Sequence, residues 1–550
     1  MMRDHWLRTP DANGAEPWPS IDWDLGDQYN IAEVALRRAE TAPDASALTH
    51  HPIDDPTTTL TYGEIANAVD AVTGLLAAED VEPGDRVGVC LPQCPELLIA
   101  QLAVFQRGAV AVPLSMLLGG DSLSHSITHS GASLVLTDAA RAEAVASAAD
   151  VPTVSVDPGN YASSPLGGLA GVVDEDGVHL PEAGSAVPTA PDDAALILYT
   201  SGTTGKPKGV VQGHQYLAGS LPGYQAWFEL FDPATAQAAR VWTPAEWAWA
   251  GALFDVVYPT LAMGGTLVSR ERRSGFDAEA ALRLIADEAI THTFMPATAL
   301  QRIRKEADPT AYDLGSIAVV MSGGESLPES LLSWAESSLA PAIHETYGQT
   351  EANALVGNCS AAYPVQPGSM GKTYPGHDVV VVDEAGEVVP DGDVGEIGVR
   401  LPDPVVFAGY WRDDRATNET LDGDLFRTGD LAVRDADGYF WHRGRKDDLI
   451  VTAGYRVSPL EVEAVLQSQP SVAAAIVGGV PDEDRGERVT AYVVPADGAT
   501  IDAATIATLR DAVRAELGAY KVPRDIEAIE TIPETRSGKA DRSALFGEEG

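Results

Sequence analysis

The sequence predicts an α/β fold of more than one domain, and three observations carry that reading. Short apolar runs alternate with helical patterns from 31 to about 138 and again from about 191 to 360, the spacing of βαβ units. A different stretch, 376–443, has short strands separated by Asp-Gly and Asp-Glu turns and reads as a small β-rich unit. Beyond Lys446, strand and helix patterns resume in a third region. At 550 residues with 45% hydrophobic content, the chain has ample core for several domains.

Taken in order, residues 1–30 are rich in Trp, Pro and Asp and read as an extended entry segment. Arg86–Cys90, Val110–Pro113 and 133–137 read as strands in the first α/β region. Residues 150–190, rich in Pro, Gly and Ala, read as an irregular excursion. The run 194–199 reads as a buried strand, and 342–345 as another. In the β-rich part the strands are 377–382, 395–400 and 440–443. Residues 459–468 and Ala503–Leu517 read as amphipathic helices. The six residues Leu118-Gly-Gly-Asp-Ser-Leu123 imitate the serine-bearing motif of phosphopantetheine carriers. They lie inside a β/α segment, so Asp121 and Ser122 are read as a helix start.

The formal net charge is −45, with 81 acidic residues against 36 basic ones. Such a surface repels nucleic acid and anionic membranes and excludes both as partners. The acid is dispersed, and lysine is scarce: seven against 29 arginines. That balance suggests a halophilic protein, whose self-repulsion concentrated salt screens. Three cysteines, Cys90, Cys94 and Cys359, supply no disulfide framework or all-cysteine zinc site. No apolar signal region opens the chain and no run reaches 18 apolar residues, so a cytoplasmic protein is expected. The sequence carries no mark of oligomeric state.

The most informative stretch is Tyr199-Thr-Ser-Gly-Thr-Thr-Gly-Lys-Pro-Lys-Gly209. Its glycines let backbone approach a ligand closely. Its hydroxyls and N–H groups donate to phosphate oxygens, and its lysines add positive charge. A kinase-type P-loop does not fit. Only two residues separate Gly202 from Gly205, and Pro207 stands where a magnesium-binding Ser/Thr and a helical N–H would be needed.

This loop resembles the signature of the adenylate-forming superfamily, comprising acyl-CoA synthetases, adenylation domains of peptide synthetases, and luciferases. Later motifs follow in the family's order, so the resemblance spans about 30 to 543. It implies a large N-terminal AMP-binding domain (1–446) of two α/β subdomains plus a small β-barrel, and a small mobile α+β C-terminal domain (447–550).

The resemblance assigns ATP or AMP contacts to Thr200, Ser201, Gly202, Thr203, Gly205 and Lys206, and a catalytic role to Thr204. Tyr347-Gly-Gln-Thr-Glu351 resembles the motif whose Thr and Glu approach the α-phosphate and magnesium. It makes Tyr347, Gly348, Gln349 and Thr350 nucleotide contacts and Glu351 the ligand of Mg2+. That role suits a hard carboxylate oxygen. Met321-Ser-Gly-Gly-Glu-Ser326 resembles the loop along adenine and the acyl chain. It supplies Gly324, Glu325 and Ser326 to the nucleotide and Gly323 to the acyl pocket. Asp430 and Arg445 match ribose or phosphate contacts, and Asp447 the hinge. Thr452-Ala-Gly-Tyr-Arg456 resembles the segment that enters the site in the thioester-forming state, so Gly454, Tyr455 and Arg456 are expected toward CoA. Pro533-Glu-Thr-Arg-Ser-Gly-Lys539 resembles the catalytic-lysine loop. The following Ala540 and Asp541 depart from the family's apolar-basic continuation.

The implied reaction has two steps. A carboxylate attacks the α-phosphate of MgATP and pyrophosphate leaves. After rotation about Asp447, CoA takes the acyl group and AMP leaves. In acetate-specific relatives a tryptophan occupies the place of Gly348. Glycine here, with Trp247 and Trp249 as walls, is expected to open the acyl pocket. The segments 372–382, 407–411 and 520–527 most resemble medium-chain acyl-CoA synthetases. Short, medium-chain, branched and aromatic acids stay open. So does transfer to a separate carrier protein in place of CoA, since only 11 residues follow Lys539.

Overall fold

The computed structural model describes Leu7, Trp18 and residues 20–53, 55–156, 184–200, 207–271, 275–325, 327–452, 455–482, 485–496, 498–533 and 540–546. The chain forms two compact units, one of residues 1–379 and 399–426, the other of 380–398 and 427–550. No helix among the described residues is long and apolar enough to cross a membrane.

The first unit holds two large sheets. One runs in the order Gly409–Tyr410, Lys208–Gly213, Ala194–Thr200, Val110–Pro113, Arg86–Cys90, Leu134–Thr137, Thr153–Ser155. From Ala194–Thr200 to Thr153–Ser155 neighbouring strands are parallel. Val110–Pro113 and Leu134–Thr137 are buried throughout, which explains their unbroken apolar runs. The helix Pro95–Gln106 is likewise buried along its whole length, so it shows no polar stripe. The carrier-like hexapeptide belongs to this layer. Its second glycine, Gly120, begins the helix Gly120–Ser130, with Asp121 in the first turn, and the helix ends at Gly131 in the left-handed conformation. All three cysteines are free and buried.

Ala194–Thr200 then pairs antiparallel with Lys208–Gly213, Thr200 opposite Lys208. The Gly- and Thr-rich segment therefore returns into a strand. No helix follows it, in contrast to a kinase-type P-loop.

The other sheet runs Lys372–Thr373, Val356–Gly357, Ala342–Tyr347, Val319–Gly323, His292–Phe294, Arg240–Trp242, Thr266–Arg270, Ser46–His51, Thr58–Thr61. Its central strands, from Ala342–Tyr347 to Ser46–His51, are parallel. Ligands of such sheets bind beyond the carboxyl ends of the strands. Val319–Gly323 and Ala342–Tyr347 end side by side, Gly323 opposite Thr346. Two of the motifs singled out by sequence thus leave one edge together.

Two details differ from the local patterns. The strand expected at 377–382 begins at Val379. Gly376 has φ +93° and its carbonyl accepts the Trp23 indole N–H, while His377 Nδ1 pairs with Asp403 at 2.7 Å, so 376–377 turn away from the ladder. In addition, Leu253–Val257 forms a π-helical turn between the helices Ala250–Ala252 and Tyr258–Ala262. The Tyr258 N–H reaches back to the Leu253 carbonyl. Pro259 has no N–H to extend the ordinary ladder, and the turn widens just ahead of it.

The second unit opens with strands of the β-rich segment. Leu425–Arg434 pairs antiparallel with Phe440–Arg445, placing Asp430 opposite Arg445. A further sheet runs Tyr455–Val457, Ile450–Thr452, Gly486–Pro495, Val472–Asp482, with Asp525–Ala528 parallel to Gly486–Pro495. The helices Pro459–Gln467 and Ala503–Leu517 cover it. Val462, Val465, Leu466, Leu509 and Val513 pack with Val477, Val489, Ala491 and Val493 into one core. Asp502 caps the second helix through the Ala504 and Thr505 N–H groups.

Candidate active site

Several expected site residues lie outside the described residues: Ser201, Gly202, Thr203, Thr204, Gly205, Lys206, Ser326, Gly454 and Lys539. For Arg456 the structure describes backbone only, paired with Val451. The rest are divided between the two units.

In the first unit, Thr200 and Lys208 mark the two stems of the Gly- and Thr-rich hairpin. The second element is the turn joining Ala342–Tyr347 to Val356–Gly357, with Tyr347 opposite Val356. Within it, Gln349 and Ala352 exchange backbone hydrogen bonds at 2.7 and 3.2 Å, and the Leu355 N–H donates to the Tyr347 carbonyl. Ala354 closes the turn at φ +54°. The turn is tied to the hairpin's exit strand. The Thr350 carbonyl accepts Gln212 Nε2 at 2.7 Å and the Tyr216 hydroxyl at 3.3 Å. The Glu351 carbonyl accepts the Phe407 N–H, and its Oε1 accepts the Tyr410 hydroxyl at 2.8 Å. Lys208 Nζ lies 4.8 Å from the centroid of that same Tyr410 ring. The exit strand of the hairpin and a half-buried carboxylate are thus joined through named contacts.

Gly348 answers a backbone requirement. A Cβ there would lie 2.6 Å from the Ala354 nitrogen and 3.0 Å from Asn353 backbone atoms. Gly323 is similar, its Cβ direction meeting Thr346 at 2.8 Å, whereas Gly324 has φ +81° and open space around it. Glu345, two residues before Tyr347 on the same strand, accepts the Leu327 N–H at 3.0 Å. Burial pushes its carboxyl up to about 7. Glu325 stands on the loop after Gly324.

Of the two tryptophans expected at the acyl pocket, Trp247 is buried and Trp249 is 36% exposed. The segment is held from below. Gln101 Nε2 donates to the Trp247 carbonyl, and the Glu246 carboxylate accepts the Ser115 hydroxyl and the Met116 N–H, both at 2.6 Å. Behind it, on the π-helical turn, Asp255 is buried and accepts Asn353 Nδ2 at 2.5 Å. Burial holds the Asp255 carboxyl up at about 7.

In the second unit Asp430 is buried. Arg445 lies 3.4 Å from Asp430 Oδ1 and His442 Nε2 3.7 Å from it. Glu396 accepts Arg427 at 3.1 Å, Lys446 at 3.4 Å and the Gly429 N–H at 3.0 Å. Asp447 is exposed between the strands Phe440–Arg445 and Ile450–Thr452. Tyr455 is exposed, its ring stacked on Tyr520 at 4.8 Å.

Sequence reasoning missed Tyr410, Gln212, Tyr216, Asp255 and Asn353. Tyr410 lies within a segment noticed only for its resemblance, 59 residues from Glu351. Nothing local announces that contact. The donor chemistry fits Mg2+. Glu351 is a hard oxygen donor with one oxygen already held, and Mg2+ commonly binds through one or two carboxylates plus substrate phosphates. Among the described residues no cluster of three His, Cys, Asp or Glu could form an all-protein metal cage.

The chain is similar to several known proteins along most of its length. A feruloyl-CoA synthase of Amycolatopsis sp is 36% identical over 506 residues, covering 92% of this chain and 96% of that protein. A mitochondrial acyl-coenzyme A synthetase of Mus musculus is 31% identical over 481 residues, covering 86% and 81%. The structure of the amide bond synthetase McbA from Marinactinospora thermotolerans matches with TM-score 0.80 at 27% identity, covering 94% and 99%. The model of the AMP-binding enzyme family matches residues 36–411, and that of its C-terminal domain matches 461–539. With a hairpin loop of phosphate-binding composition and a tethered Glu351 turn in the first of these stretches, the chain belongs to the family of AMP-binding enzymes.

Proposed function

We propose that this enzyme is an ATP-dependent acid–CoA ligase that forms an acyl-adenylate and then an acyl-CoA thioester. The observation that carries this is the tether of the Glu351 turn, through Thr350 and Tyr410, to the strand leaving the Thr200–Lys208 hairpin. In this reading the 200–206 segment and Lys206 hold the phosphates, and Tyr347 with Gly324, Glu325 and Ser326 borders the base. Asp430 and Arg445 take the ribose. Mg2+ held by Glu351 would neutralise charge on the phosphates. Lys539 and Thr204 act where the carboxylate meets the α-phosphate, since catalysis there is mainly placed charge and donors. The segment 447–550 then turns about Asp447, and Gly454, Tyr455 and Arg456 serve the thiol step.

The acid is proposed to be aromatic or medium-chain. The 36% identity to a feruloyl-CoA synthase supports that class over acetate. Pyrophosphate release over a panel of acids, with and without CoA, tests both parts. CoA-dependent thioester formation, fastest with an aromatic or medium-chain acid, is expected. A kcat/KM for acetate above that of every larger acid would overturn the substrate class.

The likeness to an amide bond synthetase favours one second reading, in which an amine takes the acyl group from the adenylate. Adding amines to the same panel separates the two. Amide formation exceeding thioester formation at equal acceptor concentration would select it.

A further inference from the structure

Tyr410 sits on the two-residue strand Gly409–Tyr410, antiparallel to Val210–Val211 on the strand that leaves the hairpin. Its ring is fixed from several directions. Phe407 packs edge-on at 4.9 Å and 72°, and Lys208 Nζ lies 4.8 Å from the centroid. The Tyr410 N–H is taken by Thr417 Oγ1 at 2.8 Å. Gly409 lets the two approach, since a Cβ there would stand 2.9 Å from the Thr417 side chain. The hydroxyl then donates to Glu351 Oε1 at 2.8 Å. A separate bond, Phe407 N–H to the Glu351 carbonyl at 2.8 Å, already ties the two backbones. Holding the turn is therefore not what the hydroxyl adds. What it adds is a charge-assisted bond to one carboxylate oxygen, which sets the rotamer of the side chain.

We propose that Tyr410 is a positioning residue for metal-dependent nucleotide binding, holding the Glu351 carboxylate in the orientation that receives Mg2+ of MgATP. The inference rests on the reading of Glu351 as the metal-binding carboxylate. A carboxylate ordered in advance loses less freedom when the ion arrives. Partners of metal ligands typically change affinity about 10–100-fold when removed. Lys208, over the same ring, links this carboxylate to the stem of the phosphate-binding hairpin.

The test is calorimetric binding of ATP to the full chain, with Mg2+ and with a chelator, for wild type, Tyr410→Phe, Glu351→Gln and the double variant. Tyr410→Phe keeps the ring and its packing, and a circular dichroism melt checks the fold. The expected result is unchanged metal-free ATP affinity, with the gain from Mg2+ reduced about 10–100-fold. In the Glu351→Gln background, Tyr410→Phe should add little. If Tyr410→Phe weakens binding equally with and without metal, or leaves the Mg2+ gain intact while Glu351→Gln abolishes it, the positioning role is wrong. If Glu351→Gln itself leaves the Mg2+ gain intact, the reading of Glu351 fails. Should Tyr410→Phe not fold, Mn2+ electron paramagnetic resonance on wild type decides: Mn2+–ATP bound with no carboxylate oxygen in its coordination sphere would overturn the proposal.

Discussion

Asp255 and Asn353 lie 98 residues apart and meet inside the first unit, Asn353 Nδ2 donating to Asp255 Oδ1 at 2.5 Å. The pair joins the π-helical turn, behind Trp249, to the end of the turn that carries Glu351. Burial pushes the Asp255 carboxyl up to about 7, and the amide bond only partly offsets this.

That pair predicts a pH-dependent stability difference. In the unfolded chain Asp255 ionises near pH 4, and in the folded chain near 7. Between those values the native state binds more protons, so this group's contribution to stability falls as pH rises. Asp255→Asn cannot ionise. Its melting temperature relative to wild type should rise from pH 4 to pH 8, by the equivalent of a few kcal/mol (~1.4 per pKa unit). His50, His214 and His292, pushed down to about 4 by burial, act with the opposite sign but are common to both proteins. A difference independent of pH would contradict the prediction.

Gly348→Ala should disrupt the Glu351 turn. The new Cβ would meet backbone of Asn353 and Ala354, which cannot swing aside as a side chain can. A stability loss of about 1–3 kcal/mol and a raised KM for MgATP are expected in melts and steady-state kinetics. A wild-type melt with a wild-type KM would show that the turn yields freely.

The two proposed half-reactions should separate by mutation. Lys539→Ala should slow acid-dependent pyrophosphate formation by roughly 10²–10³, the scale of losing one placed charge-stabilising donor. It should still convert supplied acyl-adenylate and CoA to thioester. Gly454→Leu should do the reverse. Single-turnover measurement of each half-reaction is the check. Equal loss of both in both variants, without unfolding, would refute domain alternation about Asp447.

A net charge of −45 with seven lysines predicts dependence on salt. At 1 M salt the screening length is about 3 Å, against about 30 Å at 0.01 M. Circular dichroism and activity should both decline on dialysis into dilute buffer and return on adding salt. Full activity in dilute buffer would remove the halophilic reading.

Much of the fold was legible locally. The strands Arg86–Cys90 and Val110–Pro113 and the helix Ala503–Leu517 occur at the expected bounds, because each is a uniform run of one period between strong breakers. The order of the Gly- and Thr-rich loop, Met321–Ser326 and Tyr347–Glu351 motifs was legible for the same reason: each needs particular backbone freedom and donors within a few residues. The π-helical turn before Pro259 and the late start of the strand at Val379 were not. Each depends on where a backbone group or side chain finds its partner, and for His377 that partner is Asp403.

By itself, then, the sequence determined the α/β class, the order of motifs and the residue types available for phosphate and metal, because these are properties of short segments. Only the tertiary structure decided that Tyr410 reaches Glu351, that Gln212 and Tyr216 share the Thr350 carbonyl, and that Asp255 lies buried against Asn353. Those contacts join residues separated by 59 to 138 positions. Their geometry follows from strand order, from register and from the packing of elements within the first unit. A one-residue slip of any ladder would reverse which face each side chain occupies, and no local pattern records which strand will be the neighbour.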